Sequence, residues 1–455
     1  MTNKPATKGV SADDRRRRAI ERRAVEAVIW GMPAVNYHLM FQEMVRQAKG
    51  GFNQVVYWSR LLDWKNQTLT PNPDVIYLMP FFNTQDVGPV VLKIPSADDG
   101  LFNGSVMNCW QAAIEDVGPG GVDKGAGGTY MILPPGFNQE DVPAGYIAMP
   151  SDTYRGYALL RSVLKGGSAA DVVNAVNYAK RVELYPLSRA DNPPPTRFVD
   201  ASDNLFDSTI PYDLRFFESL DQMVQAEPWL ERDRAMIDQL KTIGIERGRP
   251  FNPDPTTQHI LHDAAQEAKA LMDANYELLT PFYDGGHWFF PVGEEMHQST
   301  MSFWQTADSY PVDARGLTYT FAFFSAKHLG QAQYYLMTIV DGAGKPLQGN
   351  ASYRLRVPAN APVTQYWSIT VYNRDTHTFI WNAQWVGRSS QTAELQRNTD
   401  GSADIFFGPT APPDHVSNWI PTDANGRFEV LARFYGPQPP LFAKTWRLPD
   451  IQKTG

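Results

Sequence analysis

The chain has one cysteine, Cys109, in 455 residues, so no internal disulfide can brace the fold. That suits a reducing compartment. Cys109 stands in the apolar run Val106-Met107-Asn108-Cys109-Trp110 and reads as a core thiol rather than a reactive one. No apolar run approaches the ~20 residues of a membrane span. The N-terminus is polar, with no apolar signal core, and reaches Arg15-Arg16-Arg17-Arg18 directly. As written the chain reads as cytoplasmic; a periplasmic protein whose leader had been removed would read the same. A basic excess is also missing. Lys and Arg number 41 against 49 Asp and Glu, a formal net charge of -8, which argues against nucleic acid as a partner.

Catalytic signatures are equally scarce. No Gly-x-Ser-x-Gly elbow occurs. Six glycines between Gly118 and Gly128 lack the Lys-Ser/Thr of a phosphate cradle and lie among strands, so they read as a loop beside a pocket. His259 and His262 are one helical turn apart, with Asp263 following, a spacing that can hold a metal. There is no His-Glu-x-x-His, and a polar helix face explains the pair equally well. His287, Glu294, Glu295 and His297 form a second cluster, where either a general base or a structural histidine fits. No metal ligand set is assigned, and no motif implies a cofactor.

Aromatics, by contrast, are plentiful: 12% of the chain, with 12 Trp, alongside 34 Gly and 35 Pro. This mixture favours strands and turns. With 43% hydrophobic and 20% charged residues the chain can bury a sizeable core. A helix is expected from Asp13 toward Gln47, broken or kinked at Gly31 and Pro33. Strand patterns follow, then helices over Tyr154–Val163, Ser168–Val182 and Thr256–Leu278, then strands again. The fold class is therefore α+β: two β-rich domains, sandwich or barrel-like, joined by a helical middle region. The boundaries fall at 1–50 for tail and first helix, 51–150 for the first β-rich domain, 151–310 for the helical region and 311–455 for the second.

One stretch organises the second half. Tyr366–Tyr372 alternates apolar and polar residues, turns at Asn373-Arg374-Asp375 and leads into Thr378–Asn382, as a β-hairpin would. The dense turn Thr70-Pro71-Asn72-Pro73-Asp74 precedes a strand carrying Tyr77. Together these suggest a polar and aromatic site: Asn72, Asp74 and Tyr77 from one half, with Trp367, Tyr372, Arg374, Asp375, Asn382 and Arg388 from the other. The plainer alternative is that Asn72 and Asp74 only make the turn and the aromatics only fill the core.

These motifs resemble those of bacterial proteins that link two domains of unknown function, numbered twelve-fifty-four and twelve-fourteen. The N-terminal likeness lies in Thr70-Pro71-Asn72-Pro73-Asp74-Val75-Ile76-Tyr77, in Gly88–Pro95 and in Gly127–Pro135. The C-terminal likeness lies in Pro346–Tyr353, Trp367-Ser368-Ile369-Thr370-Val371-Tyr372, Asn418-Trp419-Ile420 and Thr445–Pro449. The resemblance implies two β-rich domains with helices between them and supplies no reaction. Asn373 departs from it, because relatives usually carry Asp after that tyrosine. The expectation is an enzyme, of hydrolase type, acting on a small amphipathic or anionic molecule in an aromatic-lined pocket. Asp74, Asp375, Tyr77 and Tyr372 would be its catalytic candidates, and Asn72, Trp367, Arg374, Asn382 and Arg388 its substrate-binding candidates. The alternative is a non-catalytic ligand-binding or assembly module. The expected partner is a small molecule, with no nucleic acid and no membrane, and a homo-oligomer remains open.

Overall fold

In the computed structural model, which describes residues 11–301, 309–322, 326–328 and 333–454, Ser11 opens the first helix. Its Oγ accepts the Asp14 N–H at 3.0 Å, and Asp13 and Asp14 sit at the positive end of the helix dipole. The helix runs Ala12–Arg46 without a break, although Pro33 lies inside it. Pro33 lacks an N–H and so frees the Ile29 carbonyl. Burial from Ala24 to Met44 against three other helices offsets that loss. Gly316, on the helix Val312–Phe321, meets this spot; a Cβ there would lie 2.7 Å from the Ile29 oxygen. Gly31 likewise leaves room for Leu220, whose Cδ1 would be 2.8 Å from an added Cβ.

Each β half is a pair of stacked sheets. In the first, a six-stranded sheet has the order Phe198–Asp200, Gln54–Tyr57, Val75–Asn83, Arg155–Val163, Phe102–Asn108, Ala113–Val117. It packs on a four-stranded sheet, Glu183–Pro186, Val90–Ile94, Gly128–Leu133, Ile147–Pro150, through Ile76, Leu78 and Leu160 against Leu92, Tyr130 and Ile132. In the second half, Gln333–Thr338, Phe428–Tyr435, Trp367–Asn373 and Gly387–Ser389 stack on Trp419–Pro421, Ala403–Gly408, Tyr353–Val357 and Gln452–Lys453. Ile369, Val430, Leu355 and Ile405 fill the space between them. The fold is α+β with two β-rich halves, and among the described strands neither closes into a barrel.

Side chains alternate along a strand, so each inner sheet has a second face. Tyr77 and Leu159 from the first half, and Met337, Tyr372, Leu431 and Tyr435 from the second, join the helices in a third core. The first helix runs through that core, against Leu214–Ala226, Pro255–Tyr276 and Val312–Phe321.

Several expectations change. Tyr154–Val163 is not helical; Arg155–Val163 is a central strand paired on both sides. Its short apolar run fits either period, and pairing decides. The helix Ala169–Ala179 does form, with Ser168 and Asp171 in a capping box. Pro255–Tyr276 also forms, capped by Asp254. The hairpin is only half present. Trp367–Asn373 is a strand, but Thr378–Asn382 keeps a lone bridge, Tyr372 to Phe379. Gln67 of the first half captures that segment: its Nε2 donates to the Phe379 carbonyl at 3.0 Å and its Oε1 accepts from Thr378 Oγ1 at 2.7 Å. Gly387–Ser389 takes the ladder position instead. The glycine-rich loop closes on Asp123, whose carboxylate accepts from Gly118 N at 2.6 Å and Gly127 N at 3.2 Å. No helix among the described residues is long and apolar enough to cross a membrane.

Candidate functional site

The turn Thr70–Asp74 leaves the first half and is held by the second. Its prolines fix the path of the backbone, and side chains of the other sheet read its carbonyls. Arg433 Nη2 donates to the Thr70 oxygen at 2.8 Å and the Pro71 oxygen at 3.3 Å. Tyr372 Oη donates to the Pro71 oxygen at 2.5 Å. Asn72 Nδ2 donates to Tyr435 Oη at 2.8 Å and Tyr366 Oη at 3.1 Å, and those two rings stack with centroids 4.5 Å apart. Burial pushes the phenols of Tyr366, Tyr372 and Tyr435 up, so they stay neutral. Asn72 N and Arg161 Nε both donate to Tyr77 Oη, at 3.1 and 3.3 Å.

Beside this turn, Tyr77, Arg161, Tyr335 and Arg433 form the polar end of a cavity of about 40 Å³, room for about three water molecules. Val292, Phe321, Met337 and Leu431 form its apolar end. The two guanidiniums are its unusual feature. Arg161 is 9% exposed and Arg433 2%. Among the described residues neither has a carboxylate within 4.0 Å. Arg433 spends its donors on Thr370 Oγ1 at 2.9 Å, Tyr372 Oη at 2.6 Å and the two turn carbonyls. Arg161 makes one hydrogen bond, through Nε, and its guanidinium lies over the Tyr77 ring at 5.3 Å; its two Nη nitrogens meet no protein acceptor among the described residues. A planar fork with two open donors suits a carboxylate.

Asp74 adjoins this arrangement. It is half-buried, its backbone N–H donates to Asn72 Oδ1 at 3.0 Å, and its Oδ2 is shut off from solvent with no hydrogen-bond partner. Desolvation raises its pKa, against the opposing pull of the Arg433 charge. Ser368 Oγ is likewise buried without a partner.

Asn72, Asp74, Tyr77 and Tyr372 therefore come together, while the other candidates lie elsewhere. Trp367 is on the opposite face of its strand, inside the C-terminal core. Arg374 pairs with Asp273 at 3.4 Å and Glu277 at 3.6 Å and lies over the Tyr276 ring. Asp375 is exposed and pairs with Arg427 at 3.1 Å. Asn382 is exposed in a left-handed turn, φ 57°. Arg388 stacks on Trp385 at 4.4 Å, and burial pulls its pKa down to about 10. Asn373 Oδ1 accepts from Asp375 N at 2.8 Å and Thr376 N at 3.3 Å; an aspartate could make the same turn. His259 is exposed and 3.5 Å from Asp263, and His287 pairs with Asp450 at 3.1 Å. The side chain of His297 lies outside the described residues. Burial pushes the Cys109 thiol up.

Arg161, Arg433 and Tyr335 escaped the sequence reading. A usable signal was there: a single Arg inside each of two apolar strands, Gly-Tyr-Ala-Leu-Leu-Arg-Ser-Val and Phe-Glu-Val-Leu-Ala-Arg-Phe-Tyr. Buried arginines are rare unless something holds them.

Residues 52–186 match the model of DUF1254, a protein of unknown function, and residues 332–439 match that of DUF1214, also of unknown function. The chain belongs to the two-domain family that carries the first ahead of the second. Thus Thr70–Asp74 and Arg161 come from one domain, and Tyr372 and Arg433 from the other. The crystal structure of the VPA0106 protein from Vibrio parahaemolyticus has the same fold, with TM-score 0.59 and 17% identity, over 96% of this chain and 100% of that one. A putative uncharacterized protein from Burkholderia cenocepacia aligns with TM-score 0.39 and 10% identity, over 96% of this chain and 94% of that one. No curated protein matches the chain.

Proposed function

We propose that the protein binds a small amphipathic anion in the cavity between its two β-domains. A carboxylate head would lie on the open fork of Arg161, within the field of Arg433. The apolar body would lie against Val292, Phe321, Met337 and Leu431. The observation carrying this reading is Arg161 itself: a buried cation, held by one bond, with two free donors at a cavity. Leaving such a group without an anion is costly. Propanoate, short enough for this space, is a suitable probe and propanamide its neutral control. At about a hundred times its dissociation constant a ligand stabilises the fold by ~2.7 kcal/mol. Propanoate should raise the melting temperature, propanamide should not, and Arg161→Met should abolish the difference while keeping the fold. A response undiminished in Arg161→Met would sink the proposal.

A hydrolytic use of the same site is the second reading, and Asp74 favours it. A half-buried carboxyl with a raised pKa and an Oδ2 shut off from solvent is equipped to give or take a proton. In this reading Arg433 would stabilise developing negative charge. Turnover in an ester panel that survives Asp74→Asn would remove it.

A further inference from the structure

We infer that His377 and Glu429, a buried imidazole–carboxylate pair outside the cavity lining, are positioning residues for the anion site, acting through the backbone of Thr70. The inference rests on the anion-binding reading above. Glu429 is fully buried, and its two oxygens are divided: Oε1 lies 2.8 Å from His377 Nδ1, and Oε2 accepts from Tyr276 Oη at 3.1 Å. His377 is itself 4% exposed and adopts a left-handed backbone, φ 58°. Its N–H closes the turn on the Asn373 carbonyl at 2.8 Å, and its own carbonyl accepts the Thr70 N–H at 2.7 Å. Thr70 is left-handed too, φ 38°. A β-branched residue there is a true outlier, and such strain persists only where surroundings impose it.

Thr70 is also part of the cavity wall. Its carbonyl receives Arg433 Nη2 at 2.8 Å, and its Oγ1 donates to the Phe321 carbonyl at 2.8 Å. A continuous path of polar contacts and backbone therefore leaves the strand Phe428–Tyr435 at Glu429, crosses into the other domain at Thr70 and returns to the same strand at Arg433. Glu429 and Arg433 stand on one face of that strand, about 13 Å apart by strand rise. The closed path sets where the Thr70 carbonyl stands and hence how Arg433 is oriented. A histidine that only filled space would need neither the strained backbone nor a carboxylate on Nδ1. Supporting partners of this kind fix the geometry on which charge recognition depends.

The test compares His377→Ala with His377→Asn. Asparagine tolerates the left-handed backbone and offers an amide N–H where Nδ1 stands. Propanoate and propanamide are titrated calorimetrically into the full chain, with melting temperature recorded for each variant. Wild type should prefer propanoate. His377→Ala should lose about tenfold in propanoate affinity with propanamide unmoved, and His377→Asn should recover to within about threefold. A merely structural role would lower the melting temperature without changing the ratio of the two affinities. If His377→Ala does not fold, Glu429→Gln takes its place and should also narrow that ratio. A wild-type ratio in the folded Ala or Gln variant, or no rescue by Asn, overturns the inference and leaves the anion site standing. No propanoate preference in wild type overturns both.

Discussion

Two groups of arginine in this molecule solve the problem of buried charge in opposite ways. Arg374 sits in a mixed cluster, with Asp273 and Glu277 beside it, Lys269 on Asp273 at 2.6 Å, and Arg427 bridging Asp375 and Glu277. Every cation there has an acid. Arg161 and Arg433 are as deeply placed, yet they meet phenols, a hydroxyl and backbone carbonyls. Neutral acceptors satisfy geometry and leave the positive charge uncancelled. The first group neutralises itself; the second leaves its charge without a carboxylate among the described residues.

The comparison breaks most visibly at Arg433. Arg433→Met leaves Thr70, Thr370 and Tyr372 with unmet acceptors, while the Pro71 oxygen keeps Tyr372. Part of that loss is recovered because a charge is no longer buried, so the net destabilisation should be about 3 kcal/mol, read as a lower melting temperature. No loss of stability would mean that the domains do not depend on this contact.

A region far from the cavity sharpens the point about partners. Glu227 accepts from Tyr154 N at 2.8 Å and Arg155 N at 3.2 Å, yet burial pushes its pKa from 4.5 up to about 7. The folded state holds that proton longer than the unfolded one, so stability falls as pH rises from about 4.5 to about 7. His38 does the reverse. Burial, helped by Arg155, takes its pKa from 6.5 to about 4, so stability rises over that window. Each contribution is roughly 3 kcal/mol, and between pH 4.5 and 6.5 they nearly cancel. Glu227→Gln should uncover the His38 limb, as a melting temperature that climbs from pH 4 to 6.5. A flat profile in that variant would contradict the assignment.

The smallest effect belongs to the self-neutralised group. Arg374→Met takes one cation from Asp273 and Glu277, but Asp273 keeps Lys269, Glu277 keeps Arg427, and both acids are partly exposed. The cost should be about 1 kcal/mol and should shrink in high salt. A larger, salt-independent loss would erase the distinction between the two groups.

The β-rich halves, the capped helices at Ser168 and Asp254 and the two motif turns were legible because each depends on neighbours in the chain. What was not legible depended on neighbours far away. Arg155–Val163 is a strand because two others flank it, and with that strand misread Arg161 had no visible direction. Thr378–Asn382 had strand composition, yet Gln67, more than three hundred residues earlier, took its backbone. Pro33 has the local chemistry of a helix break and is overruled by three packed helices. Turn and motif chemistry points to Asn72, Asp74, Tyr77 and Tyr372, which the fold brings into one cluster. The same reasoning points to Arg374, Asp375 and Arg388, and it sees a charge but not which acid or ring answers it.

The docking of Thr70–Asp74 has a consequence for how such proteins can be rearranged. Arg433 and Tyr372 take hold of the turn through main-chain oxygens, and Pro71 and Pro73 shape the path that presents them. A C-terminal domain transplanted beside a foreign N-terminal one would leave Arg433 only Thr370 and Tyr372 of its own sheet to bind. The two domains thus travel as lock and key, and what would have to be inherited together is the course of a five-residue bend more than the side chains along it.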